Sequence, residues 1–368
     1  MVPESNVLVV EDDPFLRVVG ILLDPRTSAE RYAAFADFFA HDEPDFAGYV
    51  ARVRKRVGAL FPAEVRIVAT PAELRAALPG ARALIVEGLK VGRDELAAGR
   101  DLAVVQKFGA LPRNIDRAAC EASGVTVRTL RRRVNCACAE MAFALMLTLA
   151  KKLNRVIGQI SVEQLAQAGY VYKPFDRRHT PNSNWPRIAG VRILYGSTIG
   201  IIGLGEIGCE IALRAQTFGM RTLYHQRTRL PEAEERALAT TYVPLATLLA
   251  ESDWVLPVLP GSPATRGLIG SEELAQVKPG AMLVNIARAD IVDRAALIEA
   301  LRSKRLGGFA LDPLYEAPGK SDDELLTFEN VAISPHLAAQ PRFNALNDLS
   351  DLCAGVAEEL ARPGVTAG

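Results

Sequence analysis

Short apolar runs rich in Val, Ile and Leu recur along the chain, separated by longer stretches whose apolar residues fall three and four apart. That alternation is the pattern of strands and helices around a mostly parallel sheet. In the first half it predicts strands at Val7–Val10, Val65–Ala69, Ala83–Val86, Ala103–Phe108 and Val125–Val127. Between the first two lies the segment 25–61, with Tyr32, Phe35, Phe38, Phe39, Phe46 and Tyr49 at spacings that suit amphipathic helices. Such a segment is a packing accessory or, less simply, a lid over a substrate. Residues Arg133–Asn154 read as one long helix, apolar nearly all round at Met141–Ala150 and so buried. A loop rich in Pro, Arg and Asn runs from Gly169 to Gly190, and a second α/β series follows from Thr198 to Asp312. A final helix, Pro341 to about Ala361, sets Phe343, Leu346, Leu349, Cys353, Val356 and Leu360 on one face. The pattern therefore predicts two α/β lobes joined by two long helices.

Composition narrows the function classes. The 368 residues are 49% apolar and 23% charged, which excludes extended disorder. Lys+Arg and Asp+Glu both total 43, so the basic excess of a dedicated nucleic-acid binder is missing. The apolar run Met141–Ala150 is half of what a bilayer span needs, and Met1 to Val10 lacks the pattern of a secretory signal. The five cysteines form no CxxC pair; Cys136 and Cys138 would diverge on a helix, which argues against a metal or redox pair. A cytoplasmic protein with no nucleic-acid or membrane partner and no metal is expected.

The start of the chain contains a lure. Val7-Leu-Val-Val-Glu-Asp-Asp-Pro14 reads like the first strand and acidic pair of a phosphoacceptor receiver domain. The comparable later strand, Ala83-Leu-Ile-Val-Glu87, ends on Glu where such a domain needs Asp, and no Lys-Pro pair follows. An acidic strand end in an open sheet explains the same residues.

The second series opens on Thr198-Ile-Gly-Ile-Ile-Gly-Leu-Gly-Glu-Ile-Gly208, a G-x-G-x-x-G that follows a strand pattern and begins a helical one. Gly203 permits a tight turn, Gly205 lets a pyrophosphate approach the backbone, and Gly208 lets helix and strand pack closely. The amides of Glu206 and Ile207, at the positive end of the helix, would hold that pyrophosphate.

Four motifs in order then resemble the D-isomer-specific 2-hydroxyacid dehydrogenase family over roughly residues 100–350. They are the fingerprint above, Leu259-Pro-Gly-Ser-Pro-Ala-Thr-Arg-Gly-Leu-Ile269, the segment Lys278 to Asp293 with Val-Asn-Ile-Ala-Arg at its centre, and Ser334-Pro-His-Leu-Ala338. Upstream, Gln106-Lys-Phe-Gly-Ala-Leu-Pro-Arg-Asn-Ile-Asp116 looks like the family's substrate loop. The resemblance implies two doubly wound parallel-sheet lobes. Residues 1–132 and 320–368 would form a flavodoxin-like substrate domain, and 133–319 an inserted Rossmann dinucleotide-binding domain. It also implies hydride transfer between a nicotinamide cofactor and a 2-oxo or 2-hydroxy acid, by a homodimer whose dimer-forming helix is the apolar one at Met141–Ala150.

By the same resemblance Arg288 binds the substrate carboxylate and carbonyl, and a planar fork suits that task better than Lys. His336, one of four histidines, is the general acid and base, since imidazole titrates near the working pH. Asp312 stands on the nicotinamide side, and Pro260, Thr265 and Ile286 lie along the cofactor. The family's third catalytic group, a Glu, is displaced: Leu311-Asp-Pro-Leu-Tyr-Glu-Ala-Pro318 carries Glu316 one residue early. A slip in this loop would deliver Glu316 to His336; otherwise it faces solvent. Ala289 replaces the Gly common after the catalytic Arg. Backbone amides at Gly109 and Ala110 would meet the substrate carboxylate. Lys107 and the run Arg131-Arg132-Arg133 either add positive potential for a second acidic group or form a solvated face.

Cofactor choice rests on Gln226, eighteen residues after Gly208, where an NAD-selective unit carries an acid. Gln226 is neutral, and Arg227, Thr228 and Arg229 follow, so NADP is the expected cofactor and NAD the second choice. A catalytically silent NAD(P)-sensing protein of the same fold is the competing reading; retention of Arg288 and His336 argues against it.

Overall fold

The computed structural model describes residues 6–362; Met1–Ser5, part of the N-terminus read above as no secretory signal, lie outside them. The chain divides into two compact units, one running to Asn135 and resuming at Gln340, the other spanning Cys136–Ala339.

The first unit contains β1 (Asn6–Glu11), β2 (Ala63–Val68), β3 (Ala83–Val86), β4 (Val104–Lys107) and β5 (Thr126–Arg128), all parallel in the order β2-β1-β3-β4-β5. That is the flavodoxin-like order. Every residue of β3 is buried, as a strand covered on both faces should be. The aromatic segment forms helices Ala29–Phe39 and Phe46–Val57, whose first turns are capped by Ser28 and Asp45. Phe39, Phe46 and Tyr49 are buried, and the Tyr49 hydroxyl donates to the Leu346 carbonyl at 2.7 Å. The second of these helices thus packs on the final helix, Phe343–Leu360, as an accessory of the same unit.

The second unit carries β6 (Thr198–Ile202), β7 (Arg221–His225), β8 (Thr240–Tyr242), β9 (Trp254–Pro257), β10 (Met282–Asn285), β11 (Gly308–Leu311) and β12 (Val331–Ile333). They too are all parallel, in the order β12-β11-β10-β9-β6-β7-β8. This is the dinucleotide-binding order with one strand added at the edge. The strand order reverses between β6 and β9, which opens the switch-point crevice at their carboxyl ends. Strands β9, β10 and β11 are buried throughout, and each fully buried Val or Leu contributes ~1.5–3 kcal/mol.

Two expectations need correction. The second domain crossing comes at Ala339/Gln340 and not at 319/320, because β12 pairs with β11 through Phe309↔Val331 and Leu311↔Ile333. The helix predicted to reach Asn154 stops at Lys151; Lys152 takes a left-handed φ of 56°, which breaks the hydrogen-bond ladder before the turn Leu153–Val156. The helix Arg133–Lys151 has the length and apolarity of a membrane span, yet Ala142, Phe143, Leu145, Met146, Leu149 and Ala150 are buried in the fold. Exposed apolar side chains lie further on, at Ile157, Ile160, Val171, Ile193 and Tyr195.

Candidate active site

Successive strand ends of the second sheet deliver the predicted residues. The turn after β6 holds Gly203 at φ 97°, where a Cβ would meet the Val258 carbonyl oxygen at 2.5 Å. At Gly208 a Cβ would meet the Gly203 carbonyl oxygen at 2.4 Å, so the helix Glu206–Thr217 is set close against its own turn. At Gly205 a Cβ meets nothing within 4 Å. The first two glycines are demanded by packing, while the third leaves open space at a helix N-terminus whose first amides, at Glu206 and Ile207, have no intrahelical acceptor. That is the cradle a pyrophosphate requires.

After β7, Gln226 is engaged at both ends of its amide: Oε1 accepts from Leu204 N–H at 3.0 Å, and Nε2 donates to the Thr228 carbonyl at 2.6 Å. It ties the glycine turn to the next loop. Arg229 is committed to Glu235 through two bonds of 2.9 and 2.8 Å, and Tyr224 donates to the same carboxylate at 2.7 Å. Those bonds hold the Glu235 carboxyl at about 2, and burial with the Glu235 bond pushes the Tyr224 phenol up to about 12. Arg227, exposed, makes no ion pair among the described residues. In the loop after β9, Thr265 Oγ1 donates to the Pro260 carbonyl at 2.8 Å and accepts from Ser262 N–H at 2.9 Å, closing that loop on itself.

At the end of β10, Ile286 is buried and Asn285 is wholly buried. Asn285 Oδ1 accepts from Ala287 N–H at 2.9 Å and Nδ2 donates to the Arg288 carbonyl at 2.8 Å. This clamp fixes the turn from which the exposed Arg288 side chain projects, its stem beside Gly261, where a Cβ would meet Arg288 Cγ at 2.9 Å. Asn285 escaped the sequence reading as a site residue. Its signal was there: a lone amide closing an all-apolar strand.

His336 follows β12 with φ at 62°, a left-handed conformation uncommon for a residue with a side chain. Its N–H donates to the Asp312 carbonyl at 2.9 Å. The buried Asp312 carboxylate accepts from Ser334 Oγ at 2.6 Å, Leu337 N–H at 2.7 Å and Ala338 N–H at 2.8 Å. Main chain and side chain of one aspartate therefore impose the turn that exposes His336. Strain of this kind marks functional positions and persists only when the surroundings over-determine it. The Asp312 carboxylate is turned into the His336 loop.

Glu316 also departs from expectation. Tyr315, half-buried with its phenol pKa raised by desolvation, donates to the Val292 carbonyl at 2.9 Å. The next residue is thereby turned outward, and Glu316 pairs with Lys320 at 2.9 Å, both side chains about two-thirds exposed. The loop does not bring Glu316 to His336.

In the first unit, the amides of Gly109 and Ala110 donate no hydrogen bond among the described residues, while the Gly109 carbonyl accepts from Leu130 N–H at 2.8 Å. Lys107 is buried; its ammonium donates to the Glu87 carbonyl and lies 3.9 Å from the Glu87 carboxylate, whose pKa burial raises. Arg133 pairs with Asp348 and Asp351 at 2.9 and 2.8 Å. The acidic run after β1 is likewise structural. Glu11 accepts from the amides of Glu87, Gly88 and Leu89, Asp12 pairs with Arg17, and Asp13 caps the next turn. No cluster suited to a metal occurs among the described residues.

Comparison with known proteins agrees with this geometry. A family profile, D-isomer specific 2-hydroxyacid dehydrogenase, NAD binding domain, matches residues 143–338, more than half of the chain. The chain belongs to the D-isomer-specific 2-hydroxyacid dehydrogenase family. It is 34% identical to a glyoxylate reductase of Thermococcus onnurineus over 72% of this chain and 75% of that one. To a glyoxylate reductase of Thermococcus gammatolerans it is 36% identical, over 69% and 71%. A solved putative 2-hydroxyacid dehydrogenase of this family from a Polaromonas species aligns with TM-score 0.51 and 28% identity, covering 85% of this chain and 92% of that chain. As a 2-hydroxyacid dehydrogenase the chain is an oxidoreductase that moves a hydride between NAD(P)H and a 2-oxo acid, with the cofactor domain built on the second sheet.

Proposed function

We propose that this dehydrogenase works as a reductase of small 2-oxo acids, glyoxylate among them, with NADPH as its preferred reductant and with the first unit as the substrate lobe. The observation that carries the reading is the exposed His336, held in a left-handed turn by buried Asp312 at the end of the sheet that also carries the glycine cradle. A sensor has no need to maintain that turn.

The bound nicotinamide dinucleotide supplies the hydride. Gly203, Gly205 and Gly208 with the amides of Glu206 and Ile207 would hold its pyrophosphate, and the loop of Pro260 and Thr265 together with Ile286 would contact it. Arg288 engages the carboxylate and polarises the carbonyl through its fork. His336 gives a proton to the carbonyl oxygen as it becomes a hydroxyl and takes one back in the oxidation direction. The amides of Gly109 and Ala110 bind the carboxylate. Asp312 serves as a positioning residue for His336, and Asn285 does the same for Arg288.

Arg227 is the cation for a 2′-phosphate, since Arg229 is spent on Glu235 and no carboxylate stands at Gln226 to repel it. A hydrogen bond to a charged group contributes ~1.5–3 kcal/mol, enough for a tenfold preference. Exposed Ile157, Ile160, Val171, Ile193 and Tyr195 support a homodimer, and five cysteines with no disulfide among the described residues suit the cytoplasm. The test is kcat/KM for glyoxylate with NADPH and NADH, for wild type and Arg227→Ala. NADPH should be favoured tenfold or more and Arg227→Ala should weaken NADPH selectively; a preference for NADH would overturn the cofactor assignment.

A further inference from the structure

Of the cations named near the Gly109–Ala110 loop, one stays uncommitted. Lys107 is satisfied by Glu87 and Arg133 by two aspartates. The Arg132 guanidinium lies over the Phe108 ring, 4.0 Å from its centre, and its Nε is buried with no hydrogen-bond partner. Its field reaches Glu87, yet no ion pair forms there. Phe108 is buried and immediately precedes Gly109, and Leu130 N–H fastens the start of the arginine run to the Gly109 carbonyl. Stacking uses the face of a guanidinium and leaves its N–H edge for an anion. The arrangement presents a pre-set fork next to backbone amides that donate no hydrogen bond among the described residues.

We propose that Arg132 is a specificity-determining residue that selects 2-oxo acids bearing a second anionic group, a carboxylate or a phosphate. The proposal rests on the reading that Gly109 and Ala110 take the first carboxylate. A surface arginine would keep its Nε solvated, and a purely structural one would pair it. This one does neither: its Nε is held dry against the ring, and a distal anion would engage the rest of the guanidinium edge.

The experiment compares kcat/KM for glyoxylate, 2-oxoglutarate, oxaloacetate and 3-phosphohydroxypyruvate in wild type, Arg132→Ala and Arg132→Lys, each checked for an unchanged thermal melt. Wild type should favour at least one dianionic acid over glyoxylate by tenfold or more. Arg132→Ala should shrink that ratio at least tenfold, chiefly through KM, and Arg132→Lys should recover part of it. The oxo-dicarboxylate and phosphate arms identify which anion is meant. Reduction of glyoxylate without any dianion preference, or an equal loss on all substrates in Arg132→Ala, overturns this proposal alone. Reduction of none of the four overturns the underlying reading with it.

Discussion

At the residue scale, the site depends on buried polar side chains that work through the backbone. Asp312 accepts from the amides of Leu337 and Ala338 just after His336, Asn285 bonds the Ala287 N–H and the Arg288 carbonyl, and each is fully buried. Burying such groups is favourable only when they are hydrogen-bonded, and both are. The motif Val-Asn-Ile-Ala-Arg and the Ser-Pro-His segment were legible as chemistry, because their residue types are chemically specific. The partners that position them were not, since a hydrogen bond from Asp312 to Ala338 joins residues far apart in sequence. Glu316 marks the same limit: spacing alone left open whether it faced His336 or solvent, and the Tyr315 bond to the Val292 carbonyl with the exposed Glu316–Lys320 pair decides it. Its pair with Lys320 is exposed, a class worth at most ~1 kcal/mol. Glu316→Gln is therefore expected to leave the pH profile of kcat/KM unshifted. A displaced acidic or basic limb in the same assay would return Glu316 to the histidine.

At the element scale, strands were readable to within a residue or two because the central strands are buried on both faces and their sequences are continuous apolar runs. Helix ends were less so; the stop at Lys151 follows from a left-handed Lys152 that no propensity announces. The loop between β7 and β8 shows how an element is held. Glu235 on the helix Glu232–Ala237 receives bonds from Tyr224 on β7 and from Arg229. Its carboxyl is held at about 2, below its ordinary value of 4.5. A lowered folded pKa means stability that is fully present above the unfolded pKa and lost as pH falls through the folded one. Acidification from about pH 5 to 2 should therefore lower the Tm partly through this group. Glu235→Gln should lower the Tm at pH 7 and flatten that acid slope, measured by melts across the range; a variant with the wild-type slope would contradict the assignment.

At the scale of the whole molecule, the alternating pattern predicted two α/β lobes, and two parallel sheets of five and seven strands are present. The sequence misplaced one crossing because β12 is only three residues long, and a strand that short carries little periodic signal. What the sheets share is the rule that ligands gather at the carboxyl ends of parallel strands. Gly203, Gln226, Arg288, Asp312 and His336 all follow that rule, each standing after a strand of the second sheet. The central claim is that His336 is the proton donor of a working reductase. The most direct test is kcat/KM for glyoxylate with NADPH in wild type and His336→Ala, both verified as folded by their melts. His336→Ala should lose roughly 10²–10⁴-fold in this assay; near-normal turnover by the folded variant would rule out His336 as the proton donor.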